Sequence, residues 1–87
     1  MSTAERIRTI LTDALAPEAL EVIDESEKHH GHSGWREGGE THFRVRIRSA
    51  AFAGTTRLAR HRRINELLAD ELAGGVHALA IEAEAAD

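Results

Sequence analysis

The stretch Thr41-His-Phe-Arg-Val-Arg-Ile-Arg48 alternates without a break, with Phe43, Val45 and Ile47 on one side and His42, Arg44, Arg46 and Arg48 on the other. A period of two sustained over this length predicts a half-buried β-strand. Downstream, Ser49-Ala-Ala-Phe52 has room for at most one helical turn before Gly54 breaks it. Thr55 or Thr56 can then cap a second helix, whose stripe is Leu58, His61, Ile64, Leu67, Leu68 and Leu72, and Gly74-Gly75 supplies a left-handed stop. The run Val76-His-Ala-Leu-Ala-Ile-Glu82 sets His77, Leu79 and Ile81 against Val76, Ala78 and Ala80, and predicts a third strand. A strand–helix–strand passage from 42 to 82 calls for a right-handed crossover, which makes the second and third strands parallel.

Upstream, Leu20-Glu-Val-Ile-Asp24 predicts a short strand antiparallel to the one at 41–48. Before it, Ile7, Ile10, Leu11, Ala14 and Leu15 fall at i, i+3, i+4, i+7 and i+8, the stripe of an amphipathic helix. Ser2 with Glu5 three residues later forms a capping-box pattern, and Pro17 disfavours helical dihedrals at Ala16, so this helix spans about 3–15. The expected architecture is α+β in the order α-β-β-α-α-β. Three strands make a mixed sheet with the helices packed on one face, and the face bearing Arg44, Arg46 and Arg48 is left flatter and more polar.

Eighty-seven residues allow one small domain over 1–87, and 41% hydrophobic with 30% charged residues is ordinary for a folded globular chain. Zero cysteines exclude a disulfide framework, a thiolate nucleophile and any all-thiolate metal site supplied by this chain alone. No run is long and apolar enough to span a membrane, and Met1–Thr9 lacks a signal-peptide pattern, so a cytoplasmic protein with no membrane partner is expected. The net charge of −4 conceals a basic middle: eight of the eleven Lys and Arg lie between Arg36 and Arg63, against only Glu37 and Glu40. Such a segment can form a local anion-binding surface although the whole chain is acidic.

No dinucleotide or phosphate-loop fingerprint and no nucleophile-elbow serine is present, so the chain reads as a binder and not an enzyme. Residues 27–40 form a long loop with four glycines, three histidines and Trp35, expected to be flexible without a partner, with Trp35 emission shifting on binding. His29, His30, His32 and His77 flank glycines or begin a strand, where imidazole could reach a metal. His61, on the helix stripe, reads as a packed core histidine, and His42 as structural or solvated. Arg57, Arg60, Arg62 and Arg63 could lie along nucleic-acid phosphates, and the bland alternative is a solvated helix face.

Five strings in order carry a resemblance: Asp24-Glu-Ser26, Gly39-Glu-Thr-His-Phe-Arg-Val45, Phe52-Ala-Gly54, Arg60-His-Arg62 and Val76-His-Ala-Leu-Ala80. Together they closely resemble the BolA-like proteins, over almost the whole chain. The resemblance implies a fold similar to a type II KH domain. It also implies a non-enzymatic partner of monothiol glutaredoxins, sharing a bridging 2Fe-2S cluster in iron homeostasis and cluster delivery, and bacterial members are linked to transcription. The family's ligand histidine falls on His77, and its second ligand, in the pattern Glu-Ser-x-x-His, on His29. Here the loop is longer, lacks the customary proline and repeats histidine at His30 and His32, so these stand as alternatives. Two imidazoles on one iron and thiolates on the other make an asymmetric cluster of raised potential. With no cysteine here, the thiolates would come from the glutaredoxin and a bound glutathione. No cofactor is expected on the isolated chain, itself a monomer or weak dimer, and DNA is the alternative partner.

Overall fold

The computed structural model describes residues 2–26 and 41–86. The long loop at 27–40, with His29, His30, His32 and Trp35, lies outside the described residues, so the expectations placed on it stay as stated.

Helix α1 (Thr3–Leu15) starts as the capping box predicts: Ser2 Oγ accepts from the Glu5 N–H at 3.1 Å, and Glu5 Oε2 accepts from the Ser2 N–H at 3.3 Å. Ile7, Leu11 and Leu15 are its buried stripe. The helix ends before Pro17, with Ala16 in the left-handed region at φ 42° and ψ 56°. Strand β1 (Ala19–Asp24) runs antiparallel to β2 (His42–Ser49), and β3 (Ala78–Ala85) runs parallel to β2, in the sheet order β1-β2-β3. One 3-10 turn (Ala50–Phe52) leads through Gly54, at φ 74°, to α2 (Arg57–Leu67), α3 (Ala69–Ala73) and β3.

All of this builds the α+β mixed sheet expected, with its helices on one face. Phe43, Val45 and Ile47 meet Ile7, Leu11 and Leu15 from α1, Ile64 from α2, Leu68, and Phe52 from the 3-10 turn in a single apolar core. Burying a side chain of this size contributes roughly 1.5–3 kcal/mol, so β2, the central strand, is the element the fold least tolerates losing. Ser49, fully buried at its end, donates through Oγ to Leu15 O at 2.6 Å and accepts from the Ala51 N–H, joining the end of α1 to the end of β2.

Four expectations are corrected. The second helix is not continuous: it breaks at Leu68, whose φ −100° and ψ 16° separate α2 from α3 while its side chain stays in the core. A leucine stripe at helical spacing continues through this break, because Leu68 keeps its place in the core. Leu58, at the head of the expected stripe, is 59% exposed instead. The positive φ of the Gly-Gly stop falls on Gly75 (φ 135°), Gly74 keeping φ −92°. Strand β3 runs 78–85, not 76–82, because it pairs residue for residue with all of β2, from His42↔Ala78 to Ser49↔Ala85. Leu79 and Ile81 keep the inward face expected of them, whereas Val76, lying before the strand, is buried too.

Candidate functional site

One end of the sheet gathers the first, second and fifth of the strings quoted above. Asp24 Oδ1 accepts from the Ser26 N–H at 2.9 Å, a local turn that closes β1. This turn aims the buried Ser26 Oγ at the start of β2, where it accepts from the Thr41 N–H at 3.0 Å and the His42 N–H at 3.2 Å. Glu25 N–H donates to His42 O at 2.7 Å. The two sides of the 27–40 segment are therefore clasped to each other by a serine hydroxyl and a ladder bond. A buried N–H left without a partner costs about 1–3 kcal/mol, so Ser26 is a structural requirement of this clasp.

The same clasp positions two imidazoles. Thr41 O accepts from both the His77 N–H at 2.7 Å and the Ala78 N–H at 3.1 Å, which fixes the backbone of His77 one residue before β3. His77 itself is exposed, whereas His42 is buried at 4% exposure. The rings lie with centroids 5.3 Å apart and planes tilted by 54°. His42 Nδ1 is 2.8 Å from Thr41 Oγ1, whose hydroxyl also reaches Ser26 Oγ at 3.3 Å. His42 is thus structural rather than solvated: the open face of the sheet that carries its arginine neighbours is covered at this end. Among the described residues no group of three or more His, Asp or Glu side chains is placed to hold a metal ion.

The arginine face is polar as expected, and it is also internally neutralised. Arg44 donates to Glu25 at 3.0 Å and to Glu82 at 2.9 Å, Arg46 donates to Glu82 at 3.1 Å and Glu21 at 3.4 Å, and Arg48 pairs with Glu18 at 3.1 Å. The hydrogen bonds from Arg46 and then Arg44 hold the Glu82 carboxyl below its ordinary range. Those to Glu25 and then Glu82 raise Arg44. A shallow depression of about 460 Å³ on this face is walled by Glu21, Arg46, Arg48 and Glu82, away from the histidines. Sequence reading saw the cations and missed their partners, because Glu21 and Glu82 reach Arg46 only through cross-strand register.

On α2 the four arginines separate. Arg60 is committed to the fold: Nη1 donates to Ala83 O at 3.1 Å, Nη2 to Thr55 O at 3.0 Å and Nε to Thr55 Oγ1 at 3.1 Å. Arg57, Arg62 and Arg63 are exposed. His61 is half-buried rather than part of the core.

A family model described as BolA-like protein matches residues 11–87. The chain belongs to the BolA-like family. It is 53% identical over 77 residues to BolA-like protein 1 of Pongo abelii, covering 88% of this chain and 53% of that protein. It is 49% identical over 71 residues to a Vibrio cholerae protein named DNA-binding transcriptional regulator BolA, covering 82% of this chain and 63% of that one. The chain thus spans between about half and two thirds of these curated relatives' length. Among solved structures, the BolA domain of SufE1 from Arabidopsis thaliana superposes with a TM-score of 0.87 at 48% identity, over 98% of this chain and 93% of that one. The BolA-like strings now have physical roles: Asp24 and Ser26 build the clasp, Phe52 fills the core before the positive-φ Gly54, and Arg60 locks α2 to β3.

Proposed function

We propose that this BolA-like chain is a non-enzymatic adaptor that binds a monothiol glutaredoxin and shares a bridging 2Fe-2S cluster with it, in iron–sulfur cluster trafficking and iron homeostasis. The observation that carries the reading is His77, an exposed imidazole on a backbone held by Thr41 O at the end of the sheet. A ligand held this way meets a metal without the chain having to order itself first. The second imidazole would come from the segment that begins just past Ser26, where His29 lies three residues on and His30 and His32 follow. The donor chemistry fits. A chain with no cysteine offers imidazoles to one iron and leaves the thiolate side to glutaredoxin and glutathione.

Mixing the purified chain with a monothiol glutaredoxin, glutathione, iron and sulfide should give a heterodimer whose visible circular dichroism differs from that of the glutaredoxin homodimer. An unchanged spectrum with no heterodimer on size exclusion would defeat the proposal.

Duplex DNA is the second reading, favoured by Arg57, Arg62 and Arg63 standing exposed on one helix, and by the name of the Vibrio relative. Three phosphate contacts would make affinity fall with salt at a slope of about −2.7 in log–log terms. Affinity unaffected by salt, or by the triple alanine variant of those arginines, would remove this reading.

A further inference from the structure

His77 has a fixed backbone and an exposed side chain, and these impose different limits. A strand-end histidine in solvent is free to turn about χ1 and χ2 unless something packs against its ring. Here something does. The His42 imidazole, buried at 4% exposure, lies 5.3 Å from it, centroid to centroid, with the ring planes tilted by 54°, within the separation at which aromatic rings pack against each other. His42 cannot easily swing away: Thr41 Oγ1 is 2.8 Å from its Nδ1, its N–H is bonded to Ser26 Oγ, and its carbonyl accepts from Glu25 N–H. Ser26, Thr41 and His42 thus form a continuous support, rooted in the β1–β2 clasp, that ends beside the His77 ring.

We propose that His42 is a positioning residue for His77: its buried ring selects the orientation in which the His77 imidazole is presented at the end of the sheet. This deepens the adaptor reading and rests on it for its purpose, but the orientation itself is a property of the isolated chain. The role is one of shape, and it also gives the second string of the family resemblance a task that coordination alone does not. The partners that orient a metal-ligating histidine commonly affect metal affinity by 10–100-fold when removed, although they touch no metal.

The test uses His42→Leu, which keeps apolar volume in the site but removes the planar ring, and His42→Phe, which restores a ring. In the isolated chain, nuclear magnetic resonance should show contacts between the His42 and His77 ring protons and a single χ1 rotamer for His77. His42→Leu should average that rotamer, and His42→Phe should restore it. With glutaredoxin, glutathione, iron and sulfide, the His42→Leu complex should keep the visible signature of the native heterodimer but lose its cluster to a chelator roughly tenfold faster. A His77 rotamer already averaged in the native chain, or one unchanged in folded His42→Leu, would overturn the proposal, and the native-chain measurement decides even if the leucine variant does not fold. If the native chain forms no heterodimer while the rotamer results hold, it is the adaptor reading that fails and not the positioning.

Discussion

His42 and His77 belong to different strands' ends, yet their rings meet at 5.3 Å because Thr41 O receives the His77 N–H and brings the start of β3 against the start of β2. One imidazole is buried and the other exposed, so the pair divides into a support and a presented donor. This division underlies the first prediction.

His77→Ala should abolish the characteristic spectrum of the shared cluster, since the neighbouring His42 imidazole is buried and engaged by Thr41 and does not take its place. His29→Ala should weaken the cluster only in part, with His30 or His32 substituting at some cost in geometry, and removal of all three loop histidines should match the His77 defect. Visible circular dichroism of each heterodimer checks this. An intact spectrum in His77→Ala would reassign that imidazole to a strand-end structural role.

Ser26→Ala should lower stability by roughly 2–3 kcal/mol, because the buried N–H groups of Thr41 and His42 lose their shared acceptor. Urea denaturation of the isolated chain reads this directly. A change below about 0.5 kcal/mol would mean that water replaces the hydroxyl.

Glu82 lies between Arg46 and Arg44, which hold its folded-state pKa below the ordinary 4.5. A carboxyl depressed in the folded state adds stability at all pH values above its unfolded pKa and loses it as pH falls through the folded one. The urea midpoint should therefore decline as pH drops below about 4.5, and Glu82→Gln should flatten that part of the curve. High salt should shrink the difference, since the group is exposed. An identical acid limb in the variant would show that other carboxylates carry the whole effect.

Arg60→Ala should destabilise the fold by about 1–3 kcal/mol through loss of the charge-assisted bonds to Ala83 O and Thr55 O. Arg62→Ala and Arg63→Ala should each stay within about 0.5 kcal/mol of the native chain. Any DNA affinity should respond to the second pair without loss of folding. Equal stability losses at all three positions would contradict the separation.

Ala16→Gly should leave stability unchanged or raise it by up to about 1 kcal/mol, because the left-handed dihedrals at φ 42° strain a Cβ that glycine lacks. Thermal unfolding checks the sign, and a clear loss would show that the alanine methyl makes a packing contact stronger than the strain.

How far the chain could be read without its structure depends on how local each cause is. The capping box of α1, the stop before Pro17 and the alternation of Phe43, Val45 and Ile47 rest on neighbours within a few residues, and they appear as expected. His77 was also legible as a candidate donor, from its place after a glycine pair at the head of an alternating run. The side chains of His42, Leu58 and Arg60 and the helix break at Leu68 were not, since each is decided by groups far along the chain. His42 is bonded into the clasp and meets the His77 ring, Arg60 is claimed by a carbonyl of β3, and Leu68 is held by the core while Leu58 faces outward. Local periodicity assigns a residue to a face of its own element. Only the packing of elements against one another decides whether that face meets solvent, a partner side chain or the core, because burial and hydrogen-bond satisfaction are set by what arrives from the rest of the fold.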